Sequence, residues 1–309
     1  MDTGRLSSRE PLKPSRRIFL GTMGVAATSA ATLSAMADAG SGQKPTPVNP
    51  PAVTGETYET QAKGIRILPG QWRPHYPWEQ IAWVSPPWPS QDYLWLDFPE
   101  AIFTHQGLLY LSHINPQIPS VYSDLPGVPW RKTPKGVAFE RTLPNNVAFG
   151  GSVTKETDST VTLEIHIHNG SPEKLCRISL QTCAFLRAIK EFADFTNDNK
   201  FVHVLGSGWI PLSQALGLAD ANAPYRVGWR TDGRTVADAP IAVAVSNEGS
   251  RLLAFTWGQD TLSMVGNPRH PCIHADPHFQ DLEPGQRGSV QGKLTFFEGQ
   301  LSDFDCTTL

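Results

Sequence analysis

The chain has 309 residues, 39% of them hydrophobic and 18% charged, with a formal net charge of −3. A mildly acidic chain without Lys/Arg blocks gives no footing for a phosphate backbone, which excludes nucleic acid as a partner. Cysteine is sparse, at Cys176, Cys183, Cys272 and Cys306, which excludes a disulfide-dense miniature scaffold.

Residues 1–37 contain Arg16-Arg17-Ile18-Phe19-Leu20, continue through a weakly apolar Ala/Gly/Thr-rich run, and end on Ala35-Met36-Ala37. Charged, apolar and small-residue regions in that order predict an export signal, and the paired arginines resemble a twin-arginine signal. That resemblance implies the twin-arginine translocase as a partner during export and a periplasmic or secreted product. The apolar run is too short and too weak for a stable membrane span, and no Cys follows the cleavage site to carry a lipid anchor. Loss of the signal removes Arg5, Arg9, Lys13, Arg16 and Arg17 against only Asp2 and Glu10, so the remainder is more acidic still. Residues 38–57, rich in Pro, Gly, Thr and Ser, read as a flexible linker, and 58–309 as one β domain.

Between 71 and 95 fall Trp72, Trp78, Trp83, Trp88 and Trp95, interleaved with Pro74, Pro77, Pro86, Pro87 and Pro89. Proline at that density predicts a surface wrap rather than helix or central strand. Its indoles either fill one end of a core or, with Trp78, Trp83 and Trp88 foremost, stack on a sugar face. Strands follow at 93–97, 108–112, 137–141 and 146–154. The clearest is 161–168: Val161, Leu163, Ile165 and Ile167 alternate with Thr162, Glu164, His166 and His168 before Asn169-Gly170. Next come 175–186 and 200–204, one modest helix at 212–220, and strands at 225–230, 241–246, 252–257 and 289–297, with 241–246 against 252–257 as the plainest hairpin. On the 175–186 strand, Cys176 and Cys183 would face opposite ways, so buried free thiols are expected. Many short strands with almost no helix predict an all-β, antiparallel sandwich.

His166 and His168, at i and i+2 on one strand face beside Glu164, are the pattern by which a β scaffold offers two imidazoles to a divalent transition metal. His274 is the third ligand of that set, with His270 and His278 as alternatives. Pro271 and Pro277 predict that 267–279 is a loop. Without metal, the same histidines can exchange protons with Glu164, Asp198 or Asp276 at a sugar carbon or ring oxygen. A lyase would also need a group to neutralise a uronic carboxylate, such as Arg187, Arg269 or Asn197. Thr196-Asn197-Asp198-Asn199-Lys200 reads first as a turn and second as a loop binding Ca²⁺ or sugar.

Over nearly its whole length the chain resembles a group of twin-arginine-exported proteins of planctomycete-type bacteria without assigned function. The shared words are Trp83-Val84-Ser85-Pro86-Pro87-Trp88, Thr196-Asn197-Asp198-Asn199-Lys200 and His274-Ala275-Asp276-Pro277. More loosely, 147–186 and 282–299 resemble the galactose-mutarotase-like supersandwich, through His168-Asn169-Gly170-Ser171, Leu282-Glu283-Pro284-Gly285 and Phe297-Glu298-Gly299. That second resemblance implies a carbohydrate ligand. The sequence thus reads as an exported carbohydrate-active protein, an epimerase- or lyase-type enzyme using His166, His168, Glu164 and Asp276. Trp78, Trp83, Trp88, Asn197, Asp198 and Arg269 would hold substrate. The alternatives are a non-catalytic carbohydrate-binding sandwich and a periplasmic metal-binding protein.

Overall fold

The computed structural model describes residues 62–217, 226–228, 237–267 and 270–306. The signal at 1–37, the linker at 38–57 and Arg269 lie outside the described residues. The strands are β1 (Ile67–Gly70), β2 (Ile81–Val84), β3 (Leu94–Thr104), β4 (Gly107–Leu111), β5 (Arg131–Thr133), β6 (Gly136–Thr142), β7 (Val147–Lys155), β8 (Thr160–Asn169) and β9 (Ser179–Phe185). They continue as β10 (Lys200–Val204), β11 (Gly208–Pro211), β12 (Arg226–Gly228), β13 (Ala237–Val245), β14 (Arg251–Thr256), β15 (Thr261–Gly266), β16 (Cys272–Pro277) and β17 (Arg287–Glu298), with one short helix, α1 (Leu212–Gly217). Among the described residues no helix is long and apolar enough to cross a membrane.

All the strand pairings are antiparallel, in two sheets. One sheet has eight strands in the order β1-β2-β3-β9-β16-β15-β12 with β4 on β3; the other has nine, β11-β10-β13-β14-β17-β8-β7-β6-β5. The chain is therefore an all-β antiparallel sandwich. Its inner layer follows directly from period-two alternation. Val161, Leu163, Ile165 and Ile167 of β8 point into the same core as Leu96 and Phe98 of β3, Leu180 and Ala184 of β9, and Ile273 and Ala275 of β16. Trp257 lies in that core, parallel to Phe98 at 6.1 Å, and its indole N–H donates to Thr182 Oγ1 at 3.1 Å. Asn169-Gly170 ends β8 as read: the Asn169 amide donates to the Glu173 and Leu282 carbonyls, and a Cβ on Gly170 would overlap the Asn146 carbonyl. The expected hairpin is present in register, Ala242 opposite Phe255 and Val245 opposite Leu252.

Three expectations change. The Pro/Trp-rich segment is not all surface wrap: Ile81–Val84 holds no proline and pairs as β2 between β1 and β3. Residues 272–277 form a strand, not a loop, because Pro271 and Pro277 bracket it and leave the N–H groups between them free to pair with β9 and β15. Cys176 and Cys183 do not share a strand, since Arg177 takes a left-handed φ of 55° and extension resumes only at Ser179. All four cysteines are free, as expected, with Cys183 and Cys272 buried.

Candidate functional site

The outer face of the eight-stranded sheet carries an unusual density of titratable groups. Alternation that sends Leu96, Ala184 and Ile273 inward sends Asp97, Cys183 and His274 outward. Register places these three in one row, with Asp97 opposite Cys183 and Cys183 opposite His274. The neighbouring row is Trp95, Phe185 and Cys272. Between Asp97 and Ala101 the β3–β9 register slips, so Phe98, Pro99 and Glu100 oppose Thr182 alone. This bulge delivers Glu100 to the site, because it re-aims side chains that strict alternation would not.

Two further segments close over this face. Arg73, from the loop before β2, bonds through Nε to Glu79 at 3.0 Å and through Nη2 to Asp97 at 2.6 Å. Ser112, just past β4, donates its one hydroxyl proton to Asp97 Oδ2 at 2.7 Å and accepts from Arg73 Nη2 at 3.2 Å. His113 Nδ1 lies 3.3 Å from the same hydroxyl oxygen. The Ser112 proton is committed to Asp97, so Nδ1 of His113 is the donor in that contact and Nε2 carries the lone pair.

The protonation states follow from the same surroundings. Burial, reinforced by the positive charge of Arg73, lowers the pKa of His113 to about 4. Burial raises Asp97 to about 7 despite Arg73, and its Oδ1 has no hydrogen-bonding partner. Burial likewise raises Glu100, only partly offset by His274. At neutral pH His113 is therefore a neutral imidazole, and burial favours the protonated form of both carboxyls beside it. Carboxyl oxygens of Asp97 and Glu100 and a ring nitrogen of His113 all lie within 4.8 Å of one another. That spacing could hold a metal ion, but the fixed positive charge of Arg73, 2.6 Å from Asp97 Oδ2, would repel one.

Beside the cluster lies an aromatic shelf. Trp72 stacks on Phe185 at 4.3 Å, Trp95 is 5.9 Å from Phe185 and Trp83 6.3 Å from Trp95, all on the outer face. Arg73 sits 4.2 Å above the Trp72 ring, tying shelf to cluster.

The structure separates the residues that the sequence pattern grouped. His166, His168 and Glu164 face outward from the nine-stranded sheet, whereas His274 and Asp276 face outward from the other, with the core between them. The three histidines are thus not brought together. His166 Nε2 is 2.7 Å from Glu140, whose same oxygen lies 3.8 Å from Arg287, so His166 is held in a surface ion cluster. Trp83 belongs to the shelf, but Trp78 and Trp88 are core residues whose indole N–H groups donate to the Leu111 carbonyl at 3.0 Å and Glu191 at 2.6 Å. Residues 194–199 form the expected turn: Thr196 N–H donates to Asp194, Ser213 to Asp198 at 2.6 Å, and the buried Lys200 ammonium to the Asp194 and Thr196 carbonyls and Asn199 Oδ1. That ammonium occupies the place a Ca²⁺ would need. Arg73, Asp97, Glu100, His113, Cys183 and Cys272 were not singled out from the sequence as site residues. The one local signal was Cys272-x-His274, an i, i+2 pair of the same kind as His166-x-His168.

No family model matches the chain, and no curated protein does. Among solved structures it is similar to the aldose epimerase homologue from C. elegans, at 10% identity and a TM-score of 0.41, covering 77% of this chain and 100% of that one. It is also similar to galactose 1-epimerase from Lactobacillus acidophilus NCFM, at 8% identity and a TM-score of 0.35, again covering 77% and 100%. Both likenesses are weak. At such scores they say nothing of substrate or of individual residues.

Proposed function

We propose that the chain is an exported, carbohydrate-active enzyme of the epimerase or lyase kind, with its site on the outer face of the eight-stranded sheet. The observation that carries this reading is the convergence of His113, Glu100 and Asp97 within 4.8 Å, next to the aromatic shelf. Epimerisation and β-elimination each need one group that takes a proton and one that gives it. His113 Nε2, neutral well above pH 4, accepts; Glu100, whose protonated form burial favours and whose side chain is 16% exposed, donates. Asp97 is fully buried, so it holds Arg73 and Ser112 in place rather than meeting substrate. Trp72 and Trp95 supply flat apolar surface for the C–H face of a pyranose. The same shelf favours a second reading, a glycan-binding domain without turnover.

The test is polarimetric mutarotation across common aldoses, together with ultraviolet detection of unsaturated products from uronate polymers. His113→Ala and Glu100→Gln should each cut turnover by about 10²–10⁴-fold while glycan binding persists. Binding without turnover in the unmodified chain, lost only in Trp72→Ala, would reject the enzyme in favour of the binding domain.

A further inference from the structure

Beside the proton-transfer pair lies a second cluster that the reading above leaves unused. Cys272 and His274 project together from β16, and Cys183 stands opposite His274 on β9. The two sulfurs and one His274 ring nitrogen all lie within 4.8 Å of one another, and all three residues are buried. His270, just before β16, has its ring 5.6 Å from that of Phe185, the residue paired with Cys272. We propose that Cys183, Cys272, His274 and His270 bind one thiophilic metal ion of the Zn²⁺ class in a closed, four-ligand site.

Three observations point the same way. First, ligand atoms around a tetrahedral ion, with metal–sulfur bonds of about 2.3 Å and metal–nitrogen bonds of about 2.0 Å, lie roughly 3.3–3.8 Å apart, so a triad within 4.8 Å needs only small movements. Second, the Nδ1 atom of His270 is buried without a hydrogen-bonding partner, a cost that a bound ion removes. Third, each imidazole has the orienting neighbour that metal-bound histidines use. His274 Nδ1 faces Asp276 at 3.6 Å and Glu100 at 3.8 Å, and His270 Nε2 lies 2.7 Å from the Asn267 side-chain amide. Turning that amide over lets Nε2–H donate to Asn267 Oδ1 and leaves on Nδ1 the lone pair that a ligand needs.

A disulfide is the competing use of two adjacent thiols. Cys272 pairs directly with Phe185, and Cys183 with His274, so the cysteines are diagonal neighbours. Diagonal positions put Cβ atoms about 6–8 Å apart, whereas a disulfide needs about 3.5–4.5 Å. An ion between the sulfurs spans that gap without moving the strands. Two thiolates with two imidazoles is a soft donor set, which selects Zn²⁺ or Cu⁺ over Ca²⁺ or Mg²⁺. Four protein ligands leave no open position, so the ion would pin His270 to β9 and β16 rather than do chemistry.

The probe is Co²⁺, added without oxygen to the full-length chain under reductant. We expect thiolate-to-cobalt and tetrahedral d–d absorption saturating at about one equivalent per chain and bleached by Zn²⁺. Cys272→Ser or Cys183→Ser should weaken binding at least about a hundredfold, and His270→Ala about tenfold or more, whereas His166→Ala/His168→Ala should leave it unchanged. Because a cysteine variant could lose its fold, slower alkylation of both thiols in the metal-loaded unmodified chain is the second readout. No cobalt spectrum from the folded unmodified chain would overturn the proposal. So would a spectrum indifferent to Cys272→Ser, or a Cys183–Cys272 disulfide in protein purified without oxidant. None of these readouts requires turnover, so they succeed or fail independently of the enzymatic reading.

Discussion

Asp97 makes the electrostatics of the site measurable without a substrate. Its carboxyl is fully buried, and burial lifts its pKa from the ordinary 3.8 to about 7 in the folded chain. The folded state therefore binds that proton more tightly than the unfolded state. Between about pH 4 and pH 7 it holds more protons, so stability falls as pH rises through this window, and the penalty is complete above it. Each pKa unit is worth about 1.4 kcal/mol, so the difference amounts to about 4 kcal/mol. Asp97→Asn cannot titrate but keeps an oxygen for Ser112 and Arg73, which isolates this contribution. Denaturant unfolding of both proteins at pH 4 and pH 7.5 should show the stability difference moving by about 4 kcal/mol in favour of the variant at the higher pH. In a domain of this size that is roughly 8–16 °C in relative melting temperature. Parallel pH profiles, within about 0.5 kcal/mol, would mean that Asp97 titrates normally; the reasoning about proton occupancy at the site would then fail.

Two further outcomes separate structural from functional residues. Trp88→Ala, which empties a core position against Phe296 and frees Glu191, should cost about 3–5 kcal/mol in denaturant unfolding, while Trp72→Ala should cost far less and instead weaken glycan retention in affinity electrophoresis. Equal destabilisation by both would place Trp72 in the core as well. Lys200→Met leaves the Asp194 and Thr196 carbonyls and Asn199 Oδ1 without their buried donor and should cost about 3 kcal/mol, again by denaturant unfolding; a change under about 1 kcal/mol would show that the 194–199 turn holds itself.

What was legible locally came from short-range pattern. Alternation at 161–168 fixes which face of that strand is buried, because neighbouring side chains on a strand point opposite ways whatever the partner. Asn169-Gly170 and the 241–256 hairpin follow from turn chemistry within a few residues. These determined the all-β class, the sandwich and the inward set of β8. The site was not legible in the same way. Asp97, Cys183 and His274 are far apart along the chain and meet only because β3, β9 and β16 are neighbours in register. Glu100 arrives through a bulge, and Arg73 and His113 arrive from loops whose paths only packing decides. His166, His168 and His274 look alike in sequence, yet a strand's outward face says nothing about which sheet it belongs to. Only the tertiary structure decides that, since sheet membership depends on pairing between distant segments; here the core of the sandwich stands between His166 and His274.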